Sequence, residues 1–197
     1  MDNKPSFANP TPAGLIALAV ACFCFFASLS GLVESSASIL LGIWLLGGFV
    51  VQIVVALIDL RNNNTSGGNA FLYFSAFFML VSGTEMIVKF ILANQGIAVD
   101  TTIDGWAWLA LTLGTYLLTP AFFKAPLPLT LVVLFLDIAL PFITLMDMHV
   151  LSRDIAIVPG VALLCAGLSA LYLSGAIVVN TAFGRNVMPI PGPIIKK

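Results

Sequence analysis

The sequence predicts an all-α fold, a polytopic membrane protein with six transmembrane helices. Three observations carry the prediction. Of 197 residues, 60% are apolar and only 9% are charged, against about 25% charged in a soluble domain, so a water-soluble globule is excluded. Six stretches of at least about 18 predominantly apolar residues follow one another, each long enough to cross a hydrocarbon core. None alternates apolar and polar residues as a barrel strand does, which leaves the helix as the way to pair every backbone N–H and C=O in lipid.

The first stretch, residues 13–33, follows a lead-in, residues 1–12, that ends in Asn9-Pro10-Thr11-Pro12. Prolines suit the first helical turn, where their missing N–H would be unpaired anyway, and Asn9 or Thr11 can cap. The helix start leaves N–H groups on Thr11, Ala13 and Gly14 and a positive dipole end, which suits a carboxylate. Asn9, Thr11 and Gly14 are therefore candidate binding residues at the mouth of whatever the helix lines. With only Lys4 before it, the stretch reads as a retained helix rather than a signal peptide. The second stretch, residues 38–60, carries Gln52 near its middle, equally suited to a helix–helix hydrogen bond or to lining a pore.

The third stretch, residues 70–92, lies beyond a polar turn at residues 61–68 and contains Glu85 and Lys89. Acid first at i, i+4 is the favourable order for an ion pair. The two stand roughly 22 and 28 Å along the helix, near its outer end. Lys89 either snorkels from a headgroup-level pair or decorates an outer vestibule. The fourth stretch is residues 105–123. The fifth, residues 127–147, has Asp137 near the midplane and Pro141 one turn later, which should bend the helix and free a backbone carbonyl. A charge at that depth costs about 3 kcal/mol or more. Asp137 is thus either a proton-handling group beside a pore or a neutral acid bonded to a neighbouring helix. The sixth stretch is residues 156–179, and residues 180–197 form a Pro/Gly-rich extended tail.

With six spans, Lys4, Arg61, Lys124, Arg185, Lys196 and Lys197 fall on one side and Arg153 alone on the other. The positive-inside rule then places both termini in the cytoplasm. Glu34, Asp100, Asp104, Asp147 and Asp154 gather on the outer side. The net charge of −1 offers no basic face to phosphates, which excludes nucleic-acid binding. Cys22, Cys24 and Cys165 with the sole histidine, His149, make neither a disulfide framework nor a metal site. No nucleophile–base pair, phosphate loop or cofactor motif appears, so neither an enzyme nor a cofactor is expected.

Asn9-Pro10-Thr11-Pro12-Ala13-Gly14-Leu15 resembles the N-terminal signature of the acetate uptake transporter family, Asn-Pro-Ala-Pro-Leu-Gly-Leu, departing from it at Thr11 and Ala13. Two more blocks are similar. One runs from Gly47 and Gly48 through Gln52, Asp59, Asn64, Thr65 and Gly67 to Ala70, Phe71 and Phe77. The other runs from Cys165 to Leu173 and on to Asn180, Phe183, Gly184, Arg185, Pro189 and Ile190. The resemblance implies a path for small monocarboxylates through each protomer, a homohexamer, and proton coupling by symport or channel behaviour. It also implies a constriction built from an aromatic residue of helix one, a tyrosine of helix three and a leucine of helix five. Carried over position by position, these fall on Leu18, on Phe74 with Tyr73 one place earlier and about 100° round the helix, and on Leu136, beside Asp137.

The combined expectation is movement of acetate or a similarly small carboxylate, by a proton-linked transporter or an anion channel, through the plasma membrane (the inner membrane if bacterial). The alternatives are a channel for a small neutral solute such as urea or ammonia, and a membrane sensor or structural protein that transports nothing.

Overall fold

The computed structural model describes residues 7–196; Lys4 and Lys197 of the charge count lie outside the described residues. Six long helices account for the architecture: α1 (Thr11–Leu29), α2 (Ser38–Arg61), α3 (Thr65–Asn94), α4 (Thr102–Phe122), α5 (Leu127–Asp147) and α6 (Ile157–Phe183). No strand occurs among the described residues.

Local chemistry sets the helix ends. Asn9 Oδ1 accepts the Thr11 N–H at 3.0 Å and Pro12 occupies the first turn, which starts α1. α1 stops at Leu29, short of the end of the apolar stretch, because Gly31 adopts φ +68° and the chain reverses through Leu32 N–H to Ala27 O at 3.0 Å. Asn64 caps α3 by accepting the Gly67 N–H at 3.2 Å, so this helix begins in the polar segment before residue 70. Ahead of α4, Asp100 Oδ1 accepts the Thr102 N–H at 3.0 Å and its hydroxyl at 2.7 Å, and these bonds hold the Asp100 carboxyl below the usual carboxylate range.

Two features depart from a plain reading of six apolar helices. Phe74–Val81 in the middle of α3 is π-helical, with wider i→i+5 turns. And five of the six helices are both long and apolar enough to cross a membrane, α4 being the exception. At 21 residues α4 spans roughly 32 Å, matching a core of about 30 Å. Its deficit in apolarity comes in part from Asp104, Thr112, Thr115 and Thr119, all of which are buried inside the bundle.

The helices alternate in direction and form a ring, α1 to α6, closed by extensive packing of α1 on α6; the α3–α4 seam is the sparsest contact between neighbours. Gly42 and Gly83 let α2 and α3 touch backbone to backbone, since a Cβ on Gly42 would lie 2.6 Å from the Gly83 carbonyl. The start of α1 and the end of α6 share one end of the ring, the near end, where the Ser174 hydroxyl donates to Pro12 O at 2.9 Å.

The tail is extended, as its composition predicts, yet pinned. Asn180 Oδ1 accepts the N–H groups of Val187 and Met188, both at 2.8 Å, and the Tyr172 hydroxyl donates to Pro189 O at 2.6 Å. Leu127 N–H then donates to Pro191 O, and Ile195 N–H to Phe123 O, each at 3.0 Å. The tail thereby brackets the α4–α5 turn.

Candidate functional site

Two cavities lie in line along the ring. The near one, about 100 Å³, is walled by α1, α2, α3 and α5 and by the end of α4. α1 contributes Thr11, Leu15 and Leu18, spaced so that all three share one helix face. Among the described residues no charged one lines this cavity.

Gln52 is fully buried in the near cavity's wall. Its Nε2 donates to Gly14 O at 3.3 Å, and because a carbonyl can only accept, this contact fixes which way the amide points. Its Oε1 is left without a partner among the described residues, a buried acceptor in an otherwise apolar wall. Gly14 admits the approach of α3: a Cβ there would lie 2.7 Å from the Phe71 ring. Below, at the near end, Asp59 is 2% exposed and its Oδ2 accepts from Asn64 Nδ2 at 3.0 Å.

Leu18, Phe74 and Leu136 all line the near cavity, and each is buried. Tyr73 does not; its hydroxyl is 3.1 Å from Thr115 Oγ1 on α4. Of the candidate mouth residues, Thr11 lines the cavity, Asn9 accepts the Thr11 N–H just ahead of α1, and Gly14 holds Gln52 and faces Phe71. Two of the three helix-start donors expected to be free are satisfied within the chain, Thr11 N–H by Asn9 and Ala13 N–H by Pro10 O at 3.1 Å.

The far cavity, about 200 Å³, is ringed by Ser82, Glu85, Lys89, Asp104, Asp147 and Arg153, and floored by Phe25, Phe78 and Trp108. Lys89 lies 3.4 Å from Glu85 Oε2 and forms a second, close ion pair with Asp104. Arg153 pairs with Asp147 at 2.8 Å. Lys89 therefore lines a vestibule, but it is held by two carboxylates.

Asp137 lines neither cavity. One residue past Leu136, it is turned about 100° towards α4, where its Oδ2 accepts from the Thr119 hydroxyl at 2.7 Å. Its Oδ1 is buried without a partner among the described residues. The carbonyl that Pro141 frees is that of Asp137, and the Tyr116 hydroxyl donates to it at 3.0 Å.

Sequence reasoning missed Asp59, Asp104, Phe78 and Trp108. Phe71, Phe74 and Phe78, at i, i+3 and i+7, were the available signal for Phe78, and the Thr112, Thr115, Thr119 spacing was the signal for the inward face of α4. Among the described residues no cluster of side chains could hold a metal ion.

A ring of six apolar helices around two cavities in line defines a polytopic α-helical membrane protein. The chain belongs to the GPR1/FUN34/yaaH family, whose model matches residues 2–192; this is the acetate transporter family that its motifs resemble. Its fold is similar to that of a solved structure described as the bacterial acetate channel SatP, with a TM-score of 0.77 and 22% identity over 93% of this chain and 99% of that one. No individually curated protein sequence matches it.

Proposed function

We propose that the chain moves acetate, or a similarly small carboxylate, across a membrane along the line of the two cavities. The observation that carries this is the near cavity itself: an apolar chamber for a short alkyl group whose wall holds, among the described residues, one unpartnered acceptor, Gln52 Oε1, and no charge. Such a chamber suits a carboxylic acid that crosses with its proton, because a bare anion would find no cation there to offset its desolvation. Family membership and the acetate-channel fold support the same reading. Leu18, Phe74 and Leu136 wall the dehydrated section, Thr11 and Gln52 are its polar contacts, and the vestibule with Glu85 and Lys89 is its far mouth.

The near end is the cytoplasmic one, given Arg61, Lys124, Arg185 and Lys196 there against Arg153 at the far end. The plasma membrane, or the inner membrane of a bacterium, is the proposed location, and the homohexamer follows from the resemblance alone. Asp137 acts in α4–α5 packing, off the path. Uptake of labelled acetate into proteoliposomes, with and without an inward proton gradient, tests the main claim; no uptake above empty liposomes in either condition would refute it. The lack of charge in the near cavity also favours a second reading, a pore for a small neutral solute. Flux that ignores pH and is not competed by acetate would select it.

A further inference from the structure

We infer that Phe78, rather than the Leu18–Phe74–Leu136 collar, closes the path and sets the size of acid that passes; this rests on the proposed transport of small carboxylates. The three collar residues all border the open space of the near cavity, so they surround a chamber. The closure must lie where the two cavities are separated, and one aromatic layer stands there. Phe74 borders the near cavity and Phe78 the far one. Their rings meet edge to face at 5.6 Å.

Phe78 is 1% exposed. It is braced by Phe25 at 5.3 Å and by Trp108, edge to face, at 5.9 Å, both of which also floor the far cavity. Phe78 thus has near-cavity wall on one side, far-cavity space on the other, and aromatic rings around it. It belongs to the π-helical stretch of α3, where residues four apart stay on one face, so Phe74 and Phe78 stack along the axis. Truncating Leu18 or Leu136 enlarges space that already exists, whereas truncating Phe78 joins the two cavities.

Two measurements on the full-length protein test this. In proteoliposomes, Phe78→Ala should raise the butyrate-to-acetate uptake ratio about tenfold and Phe78→Leu roughly threefold, while Leu18→Ala shifts it less than twofold. An unchanged ratio in both Phe78 variants, or a larger shift from Leu18→Ala, overturns the assignment. The second measurement needs no acetate. With Cys22, Cys24 and Cys165 replaced by alanine and Ala70→Cys placed in the near cavity, a membrane-impermeant thiol reagent is added at the Arg153 end. Labelling should be at least tenfold faster with Phe78→Ala or Phe78→Leu than with Phe78 present, and equal rates overturn the closure. Phe78-dependent labelling in a protein without acetate flux would refute the transport reading and keep the closure.

Discussion

Among the described residues the near cavity is lined by polar atoms and no charge, whereas five charged side chains ring the far cavity in two groups, Glu85–Lys89–Asp104 across α3 and α4 and Asp147–Arg153 between α5 and the segment leading into α6. In the near cavity a fully buried amide keeps one acceptor unspent. In the far cavity every cation is already matched by a carboxylate. Around the far cavity charge thus fastens helices, whereas the described lining of the near cavity is left to dipoles and shape. The difference fits a solute that sheds water, and carries no net charge, at the narrow end.

The sharpest way to break the comparison is steric. Gly14→Val puts its Cβ against the Phe71 ring and close to Val55; it should cut acetate flux at least tenfold and destabilise the bundle by about 1–3 kcal/mol, the usual cost of overpacking. Unaltered flux would mean the near cavity is off the path. Next is Lys89→Ala, which leaves Asp104, 8% exposed, and Glu85 facing each other without a cation. Removing one partner of a buried pair costs about 3–5 kcal/mol, and the partial exposure of Lys89 lowers that to roughly 2–3 kcal/mol. Thermal unfolding in detergent measures it, and no loss of stability would show that these charges fasten nothing.

Thr119→Val is smaller, about 1–2 kcal/mol, for leaving Asp137 with neither oxygen bonded. Asp137→Asn keeps that bond and should leave the pH dependence of flux unaltered; a flattened pH profile would place Asp137 on the path after all. The smallest effect belongs to Asp100→Ala. Because bonds from Thr102 lower the Asp100 pKa in the folded protein, its stabilisation is complete above the unfolded value near 3.9 and is lost as pH falls through the lower folded value. The variant should melt slightly below the parent at neutral pH, and the gap should close in acid.

Much of this was legible in the sequence because lipid leaves so few options: an apolar stretch of span length must be a helix, and the breakers between stretches mark the turns. The collar positions came from the resemblance, and all three line one cavity. What stayed hidden depended on angle and on distant pairing. Leu136 and Asp137 are adjacent, and the helical step that sends one to the cavity and the other to α4 depends on how α5 is rotated. Lys89 pairs with Asp104 across a turn, which no local spacing announces. The π-helical segment is equally opaque, since the same apolar residues satisfy either hydrogen-bond register. α4 is the instructive case, because the polarity that weakens it as an apolar span is the polarity it turns inward, through Thr112 to Thr144 at 2.9 Å among other contacts.

The bracket that the tail forms over the α4–α5 turn carries a consequence for biosynthesis. The Leu127 N–H and the Phe123 carbonyl are bonded to Pro191 and Ile195 of the tail, and all of α6 is made between turn and tail. During translation those two groups therefore wait, solvated at the membrane surface, until α6 has been inserted and the segment behind it has come free. A stop codon just after α6 would leave the α4–α5 turn held by Thr130, whose hydroxyl donates to Phe122 O at 2.7 Å, but without the two bonds that the tail adds.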